Sequence, residues 1–355
     1  MTRVLLVKTS SLGDVIHCLP AVSDMAACVP DLTLDWVVEE EFAEIPRLHP
    51  AVSRAIPVRL RSWRHRLLDP DAWSEIGEFR SSVRMSRYDR IIDAQGLIRS
   101  ALLARLARGR RCGYDRRSVR EKFASRLYDK RYRVGVTLHA VERMRRLVAA
   151  SLGFQSPAEQ TYGLNIEAGS FDFVGGEPYL VGLHGTARSD KAWPEPSWIE
   201  LAGRAADAGF RLVLPAGGDR ERRRAARIGE AAPGVVSPPR LDFTGMAELM
   251  AGAAAVVGVD TGLTHLASAV GAPVVAIYRA TWSEFNGVIG PAFVANLGEP
   301  GKAPGVDEVW SATRQAIASG RRTGPWPAAT GQPAPPLAGR RPFRPSNASA
   351  EVHRS

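Results

Sequence analysis

Cysteine is scarce in this chain: three residues, Cys18, Cys28 and Cys112, occur among 355. An odd number without paired spacing indicates neither a disulfide framework nor a zinc site, so we expect a reducing compartment. Long hydrophobic runs are lacking too. No stretch approaches the roughly 18 apolar residues that span a bilayer, and the apolar run at the N-terminus is too short for a signal peptide. We therefore expect a cytoplasmic protein that is at most peripheral to a membrane.

Two nucleotide-binding signatures are also missing. The turn after the first predicted strand reads Lys8-Thr-Ser-Ser-Leu-Gly-Asp14. It is neither the G-x-G-x-x-G fingerprint of dinucleotide-binding enzymes nor a G-x-x-x-x-G-K-[ST] phosphate loop. No D-x-D metal site follows a predicted strand. A nucleotide-dependent oxidoreductase needs the absent glycine fingerprint, so the sequence disfavours that class.

Acidic residues are absent from two arginine-rich stretches of the first half. Residues 1–150 hold 28 lysines and arginines against 18 acids, whereas residues 151–355 hold 19 of each. All of the net charge of +10 therefore belongs to the first half, which favours an anionic partner there. A nucleic-acid-binding protein would explain this charge, but no recognition helix or aromatic RNA motif is present. Solvated arginines on separate faces are the other alternative. The arginines are Arg47, Arg54, Arg59, Arg61, Arg64 and Arg66 in the first stretch and Arg99, Arg105, Arg108, Arg110 and Arg111 in the second.

Apolar, β-branched runs alternate with helical patterns in both halves, which predicts an α/β fold of two doubly wound, Rossmann-like domains facing a cleft. The predicted domains are 1–165 and 179–320, with a linker at 166–178, and the Pro- and Arg-rich residues 321–355 are predicted to be disordered. Ligands of such domains bind beyond the carboxyl ends of the strands. The predicted strands are Val4–Val7, Leu34–Val38, Arg90–Asp93, Tyr179–Leu183, Arg211–Leu214, Ala255–Val259 and Val274–Tyr278.

Asp14 is the candidate base of the first half. It lies at the start of a predicted helix at the cleft edge, where a carboxylate can accept a proton from a substrate hydroxyl. Gly13, beside it, allows a close approach to the backbone. The alternative is that Asp14 only stabilises the N-terminus of its own helix, and position alone leaves both functions open.

Two loops of the second half carry groups that suit a diphosphate. Asp260-Thr-Gly-Leu-Thr-His-Leu266 joins an apolar strand to a predicted helix, whose first N–H groups and dipole attract phosphate oxygens. Thr186 and Lys191 follow an earlier strand and offer a hydroxyl and a compact positive charge. Glu221, beyond the next strand, is suited to ribose hydroxyls or a base edge. The alternatives are that Asp260 only caps its helix and that Lys191 is only an exposed lysine.

Six segments occur in one order along the chain: Lys8-Thr-Ser-Ser-Leu-Gly-Asp14, Asp35-Trp-Val-Val-Glu-Glu40, Ile92-Asp-Ala-Gln-Gly-Leu97, His139-Ala-Val-Glu-Arg143, Asp190-Lys-Ala-Trp-Pro194 and Asp260-Thr-Gly-Leu-Thr-His-Leu266. Taken together, they resemble the lipopolysaccharide heptosyltransferases of glycosyltransferase family 9, which have the GT-B fold. The resemblance runs from about Met1 to Ile317 and omits the tail.

The resemblance implies an inverting transferase that needs no cofactor and no metal. It implies that the second domain binds ADP-L-glycero-D-manno-heptose and that the first binds Kdo2-lipid A at the cytoplasmic face of the inner membrane. Asp14 matches the general base, and Lys191 matches a catalytic contact to the donor phosphates. The other implied donor-binding residues are Thr186, Glu221, Asp260, Thr261, Gly262, Leu263 and His265. The implied acceptor-binding residues are Ser10, Ser11, Gly13, Arg61, Arg64 and Arg120.

Two departures from the family pattern concern these sites. His65 follows Arg64 where relatives often carry a second cation, so acceptor binding is expected to depend more on the arginines. Arg279-Ala-Thr281 stands where the family commonly has Gly-Pro-Thr, which predicts a donor-side loop of different shape. Within the same family, a transferase that adds the second heptose rather than the first is the alternative.

Overall fold

The protein consists of two α/β domains, seen here in a computed structural model that describes residues 1–66, 68–324 and 326–327. Each domain is built on a six-stranded parallel sheet, and a third, two-stranded antiparallel sheet joins distant parts of the chain. All seven predicted strands form, and the predicted pair of doubly wound domains is confirmed.

The strands are β1 (Thr2–Val7), β2 (Leu32–Glu39), β3 (Val52–Val58), β4 (Arg87–Asp93), β5 (Arg108–Tyr114), β6 (Lys130–Tyr132), β7 (Glu159–Gln160), β8 (Tyr179–Leu183), β9 (Arg211–Val213), β10 (Val235–Val236), β11 (Ala255–Val259), β12 (Val274–Ile277), β13 (Val294–Leu297) and β14 (Trp326–Pro327). The α-helices are α1 (Leu12–Ile16), α2 (Leu19–Cys28), α3 (Glu44–Arg47), α4 (Leu60–Trp63), α5 (Pro70–Arg84), α6 (Ile98–Leu106), α7 (Ala140–Leu152), α8 (Glu195–Asp207), α9 (Asp219–Ala231), α10 (Phe243–Gly252), α11 (Gly262–Ala269), α12 (Ser283–Asn286) and α13 (Val306–Ser319).

Both large sheets have the doubly wound strand order. The first runs β3-β2-β1-β4-β5-β6 and the second runs β10-β9-β8-β11-β12-β13. The direction of winding reverses between β1 and β4 in one sheet and between β8 and β11 in the other, and a crevice opens at each reversal beyond the strand ends. The loops after these four strands are therefore placed to form a site.

Alternating side chains of the central strands pack on both faces of each sheet. In β1, Val4 and Leu6 belong to a core that continues from the first domain into the second, whereas Leu5 and Val7 belong to a separate core on the outer face. Successive side chains of a strand point to opposite faces, so β1 is buried on both sides. The shared core means that the two domains pack directly on each other.

Polar contacts across the domain junction add to this packing. Glu44, at the start of α3, accepts hydrogen bonds from the backbone N–H groups of Phe243 (3.1 Å) and Thr244 (2.7 Å) at the start of α10. A carboxylate of the first domain thus satisfies free N–H groups of a helix in the second domain. Beside this contact, α1 packs on α11.

The segment after α13 returns to the domain junction. Arg321 donates hydrogen bonds to the carbonyl oxygens of Ile166 and Val270, and β14 pairs with β7. The beginning of the predicted tail is therefore part of the described fold, whereas residues 328–355 lie outside the described residues. Among the residues that the structure describes, no helix has the length and apolarity needed to cross a membrane.

Candidate active site

Four loops at the two winding reversals form the candidate site. Residues 8–14 follow β1 and residues 94–97 follow β4 in the first domain; residues 184–194 follow β8 and residues 260–262 follow β11 in the second. Apolar strands that are buried on both faces carry each loop to the same edge of its sheet. Local sequence therefore places the loops at strand ends, and strand order brings them together.

Asp14 occupies the third position of α1 and lies between two cations. Its carboxylate is 3.6 Å from Lys8 Nζ and 3.8 Å from an Arg120 guanidinium nitrogen. It also accepts a hydrogen bond from the N–H of Ser11 (3.2 Å). The Asp14 side chain is 27% exposed and the Lys8 side chain is 4% exposed, so water reaches the carboxylate but hardly reaches the lysine. Asp14 thus stabilises the start of α1, and part of its carboxylate remains accessible to solvent.

The pKa of Asp14 is lowered. Burial alone would raise the pKa, but attraction to Lys8 and Arg120 and the hydrogen bond from Ser11 outweigh it. The carboxylate is therefore ionised throughout the neutral range and is ready to accept a proton. Lys8, to which the sequence assigned no function of its own, supplies the larger of the two attractions because it is the buried partner.

The loop after β4 fixes the backbone beside Asp14. Gln95 Oε1 accepts hydrogen bonds from the N–H groups of Thr9 (3.2 Å) and Ser10 (3.4 Å). The loop itself is held by the fully buried Asp93, which accepts from Ser100 Oγ at 2.8 Å and from the hydroxyl of Tyr128. Asp93 and Gln95 therefore position the turn that carries the candidate base.

In the second domain, Lys191 forms an ion pair with Asp260. Lys191 Nζ is 2.7 Å from Asp260 Oδ2, and the two side chains are 20% and 15% exposed. The Thr281 hydroxyl donates a hydrogen bond to the same carboxylate, and Arg279 donates to the carbonyl oxygen of Ala192, next to Lys191. The segment that departs from the family pattern thus ties the loops after β8, β11 and β12 together.

A cavity of about 570 Å³ is lined by Ala192, the neighbour of Lys191 along the chain, and by the start of α9. Thr186 and Glu221 line it, together with the glycine-containing start of α9, and Glu221 accepts a hydrogen bond from the N–H of Gly217 (2.7 Å). Gly185 lies so close to Glu221 that a Cβ atom at position 185 would be 2.2 Å from the carboxylate. Arg224 donates to the carbonyl oxygens of His184 and Trp193, which holds both ends of the β8 loop. The volume of this cavity is in the range of small-ligand sites, and its charged and glycine residues suit a polar ligand.

The remaining predicted donor residues lie at the contact between α1 and α11. Gly262 faces Leu12, because a Cβ atom added to Gly262 would lie 2.5 Å from the Leu12 side chain. Leu263 packs at the edge of the shared core, and His265 is buried. Thr261 has the extended backbone of an N-cap residue and makes no side-chain cap bond. Besides its predicted part in donor binding, α11 therefore packs against the first domain.

This contact brings the two halves of the site together. A Cβ atom on Gly13 would lie 3.2 Å from the His265 ring and 3.7 Å from the Gly262 Cα atom. Asp14 follows Gly13 directly, and Asp260 precedes Gly262 by two residues. The Lys8–Asp14 pair and the Lys191–Asp260 pair consequently flank one junction.

Two histidines that the sequence left without a function join His265 there. His17 Nε2 is 3.0 Å from His265 Nδ1, and His139 Nε2 is 3.0 Å from the carbonyl oxygen of Gly287. Burial is the main reason that the pKa values of all three histidines are lowered, and mutual repulsion lowers the pKa of His17 further. The three rings are therefore neutral at pH 7. Within the described residues, no group of three or more His, Cys, Asp or Glu side chains is placed to hold a metal ion.

The predicted acceptor residues are divided between paired and open positions. Arg61 forms an ion pair with Glu41 and lies over the Phe42 ring, whereas Arg64 donates to the ring of His65 at 2.8 Å. Ser10 is buried, and Ser11 is exposed. The structure places Arg120 against Asp14, and it gives no direct contact of Arg61 or Arg64 with that carboxylate.

Comparison with known proteins shows which family the chain resembles. Residues 76–313 match the family model of glycosyltransferase family 9 (heptosyltransferase). Lipopolysaccharide heptosyltransferase 1 of Pseudomonas aeruginosa is 47% identical over 290 residues, which are 81% of this chain and 81% of that protein. The protein of the same name in Escherichia coli K12 is 45% identical over 284 residues, 79% of this chain and 88% of that protein. The solved structure of E. coli heptosyltransferase WaaC with ADP superimposes with a TM-score of 0.80 at 40% identity and covers 89% of this chain and 99% of that one.

These similarities confirm the GT-B fold and the glycosyltransferase activity that the six sequence segments predicted. The family model covers most of the chain, and the relatives align over both domains. The chain belongs to glycosyltransferase family 9, the heptosyltransferase family.

Proposed function

We propose that the protein transfers L-glycero-D-manno-heptose from ADP-heptose to a Kdo hydroxyl of Kdo2-lipid A, which adds the first heptose. The observation that supports this most is the contact of Gly13 with α11, which brings an ionised carboxylate, Asp14, near the Lys191–Asp260 pair. A base in one domain and a phosphate-binding cation in the other are what a displacement at an anomeric carbon requires. The names of the relatives support the choice of donor and acceptor.

In this proposal Asp14 is the general base. Its oxygen takes the proton from the Kdo hydroxyl as that hydroxyl attacks the anomeric carbon of heptose, and the bond to ADP breaks on the opposite face. Lys8 and Arg120 keep the carboxylate ionised, so it can accept a proton at neutral pH. Positioned proton transfer of this kind contributes roughly 100-fold or more to a rate.

Lys191 stabilises the departing diphosphate. An ammonium group has three N–H donors, and the bond to Asp260 uses one of them, so two remain for phosphate oxygens. Thr186 and the first N–H groups of α11 add further donors. Charge that develops on ADP during bond cleavage is then met by donors already in place, and loss of one such donor costs about 3 kcal/mol. Glu221 and the adjoining cavity bind the nucleoside.

The basic first domain binds the acceptor. Arg61, Arg64 and Arg120 are the predicted acceptor arginines, and all three are exposed. Arg61 must leave Glu41 to bind the acceptor, and Arg120 lies beside Asp14. Because the proposed acceptor is a lipid, the enzyme works as a peripheral protein at the cytoplasmic face of the inner membrane. Ser10, Ser11 and Gly13 line the approach to Asp14.

The test is transfer from ADP-heptose to purified Kdo2-lipid A, with and without EDTA, read by mass spectrometry of the lipid. A gain of one heptose that survives EDTA supports the proposal and its metal independence. An acceptor that already bears one heptose serves as the parallel substrate. Transfer only to that acceptor would make the protein a second-heptose transferase, and transfer to neither would refute the proposal.

A further inference from the structure

An exposed surface of the first domain combines apolar and basic side chains. We call it the α6 face, defined by Ile98, Leu102 and Phe123 together with Arg99, Arg105, Lys122 and Arg126. Ile98 and Leu102 are one helical turn apart and are 37% and 52% exposed, and Phe123 is 52% exposed. The opposite side of α6, with Ala101 and Ala104, is buried.

Two contacts place Phe123 beside α6. Glu121 accepts a hydrogen bond from the N–H of Ile98 at 2.6 Å, and the N–H of Glu121 donates to the carbonyl oxygen of Gly96. The 3₁₀ turn Ala124–Leu127 then packs on α6. Residue 123 therefore lies between two points that are attached to the helix, and the Arg126 guanidinium lies over its exposed ring.

The cations of the α6 face are all exposed. Within the described residues, none of Arg99, Arg105, Lys122 and Arg126 forms an ion pair with a carboxylate. Asp129, the nearest acid along the chain beyond the turn, is held by Arg111 at 2.7 Å, and Glu121 is bonded to the start of α6. Many other first-domain arginines are paired; Arg54, for example, forms an ion pair with Asp35. The α6 face thus carries four of the unpaired cations that make up the charge excess of the first domain.

The face also adjoins the candidate base. Arg120 belongs to the same segment as Phe123, and its guanidinium lies 3.8 Å from Asp14. Exposed leucines and phenylalanines are common singly. A group of them surrounded by unpaired cations is typical of a surface that inserts apolar side chains into a bilayer while cations contact anionic headgroups.

The geometry points to the α6 face as the surface that docks the enzyme onto an anionic lipid membrane. Phe123, Leu102 and Ile98 enter the headgroup region, and the four cations contact lipid phosphates. The proposed transfer then begins with the lipid-held acceptor sugar emerging beside Arg120 and Asp14, so this inference rests on the proposed function for the identity of the acceptor. The docking itself is independent of the transfer chemistry.

The experiment is co-sedimentation of the full chain with vesicles of phosphatidylglycerol and phosphatidylethanolamine, compared with vesicles of phosphatidylcholine. We expect binding to the anionic vesicles that weakens with salt. The double variant Lys122→Gln, Arg126→Gln should bind at least tenfold more weakly, since each cation near an anionic surface contributes about fivefold. The double variant Leu102→Ser, Phe123→Ser should weaken binding similarly.

Matched controls lie elsewhere on the molecule. Met85→Ser removes another exposed apolar side chain, 75% exposed at the end of α5, and Arg223→Gln with Arg314→Gln removes two exposed cations of the second domain. These variants should bind vesicles as the wild type does. Circular dichroism and melting temperature establish that every variant is folded.

A soluble, deacylated Kdo acceptor separates docking from catalysis. The α6-face variants should transfer heptose to it at the wild-type rate and be slowed only on the acceptor embedded in vesicles. Wild-type vesicle binding by folded α6-face variants, or failure of the wild type to bind anionic vesicles, would overturn the docking surface. Absence of transfer to both acceptors by the wild type would instead refute the proposed function, while the vesicle experiment would still decide the docking surface.

Discussion

The substitution Lys8→Met tests the electrostatics of the candidate base most directly. It removes the buried ammonium group 3.6 Å from Asp14 and keeps a side chain of similar length. The burial that raises the pKa of Asp14 remains, while its largest compensating attraction is lost. The pKa of Asp14 should therefore rise.

The separation of the two groups limits the size of the rise. Two unit charges at this distance attract by about 4–5 kcal/mol at an effective dielectric constant near 20. That energy corresponds to at most about three pKa units. Since Asp14 is partly exposed, water replaces some of the lost attraction, and we expect a rise of about one to two units. Arg120→Met should raise the pKa by less than about one unit, because Arg120 is 52% exposed and exposed pairs contribute little.

The assay is kcat/KM for the soluble acceptor between pH 5 and 8. The wild type should lose no activity through Asp14 in this range, because the pKa of Asp14 lies below its ordinary value of 3.8 and a base fails only as pH falls through its pKa. The acidic limb of Lys8→Met should be displaced upward by that amount, so the variant should lose activity toward pH 5, where the wild type does not, with little loss at pH 8. Circular dichroism at each pH separates titration from unfolding. A folded Lys8→Met enzyme whose pH profile matches that of the wild type would refute the assignment of Lys8.

Three further predictions concern the base, the leaving group and the domain junction. Asp14→Asn should lower kcat by about 100-fold or more with an unchanged melting temperature, and near-normal turnover would exclude it as base. Lys191→Met should lower kcat by about 10²–10³-fold at saturating donor, whereas its exposed neighbour Arg188→Met should have little effect; equal rates would remove Lys191 from catalysis. Burial lowers the pKa of His17, so below pH 6.5 its side chain is protonated in the unfolded state but stays neutral in the folded state. The contribution of neutral His17 to the free energy of unfolding is therefore fully present above pH 6.5 and is lost as pH falls. His17→Gln should therefore show a smaller drop in melting temperature between pH 7.5 and 5.5 than the wild type or the exposed control His65→Gln, and equal drops in all three would contradict a neutral buried His17.

Strands could be predicted from the sequence where a local pattern of apolar and polar residues indicates them. β8 and β11 coincide with their predicted bounds, because a short apolar run between polar turns indicates a strand that is buried on both faces. β5 was missed because its sequence, Arg108-Gly-Arg-Arg-Cys-Gly-Tyr114, has four polar or glycine residues at its start, and β10 is only two residues long. Near the edge of a sheet, pairing with a neighbour forms strands that composition does not mark.

The sequence by itself determined the family, the two α/β domains and the charge excess of the first half, because motifs, apolar periodicity and composition are local properties. Only the tertiary structure decided which arginines remain unpaired: four cations of the first sequence cluster, Arg54, Arg59, Arg61 and Arg66, form ion pairs with acids outside that cluster. The same holds for the contact of His17 with His265, which lie 248 positions apart. Such pairings depend on strand order and domain packing, which join residues that no local pattern relates.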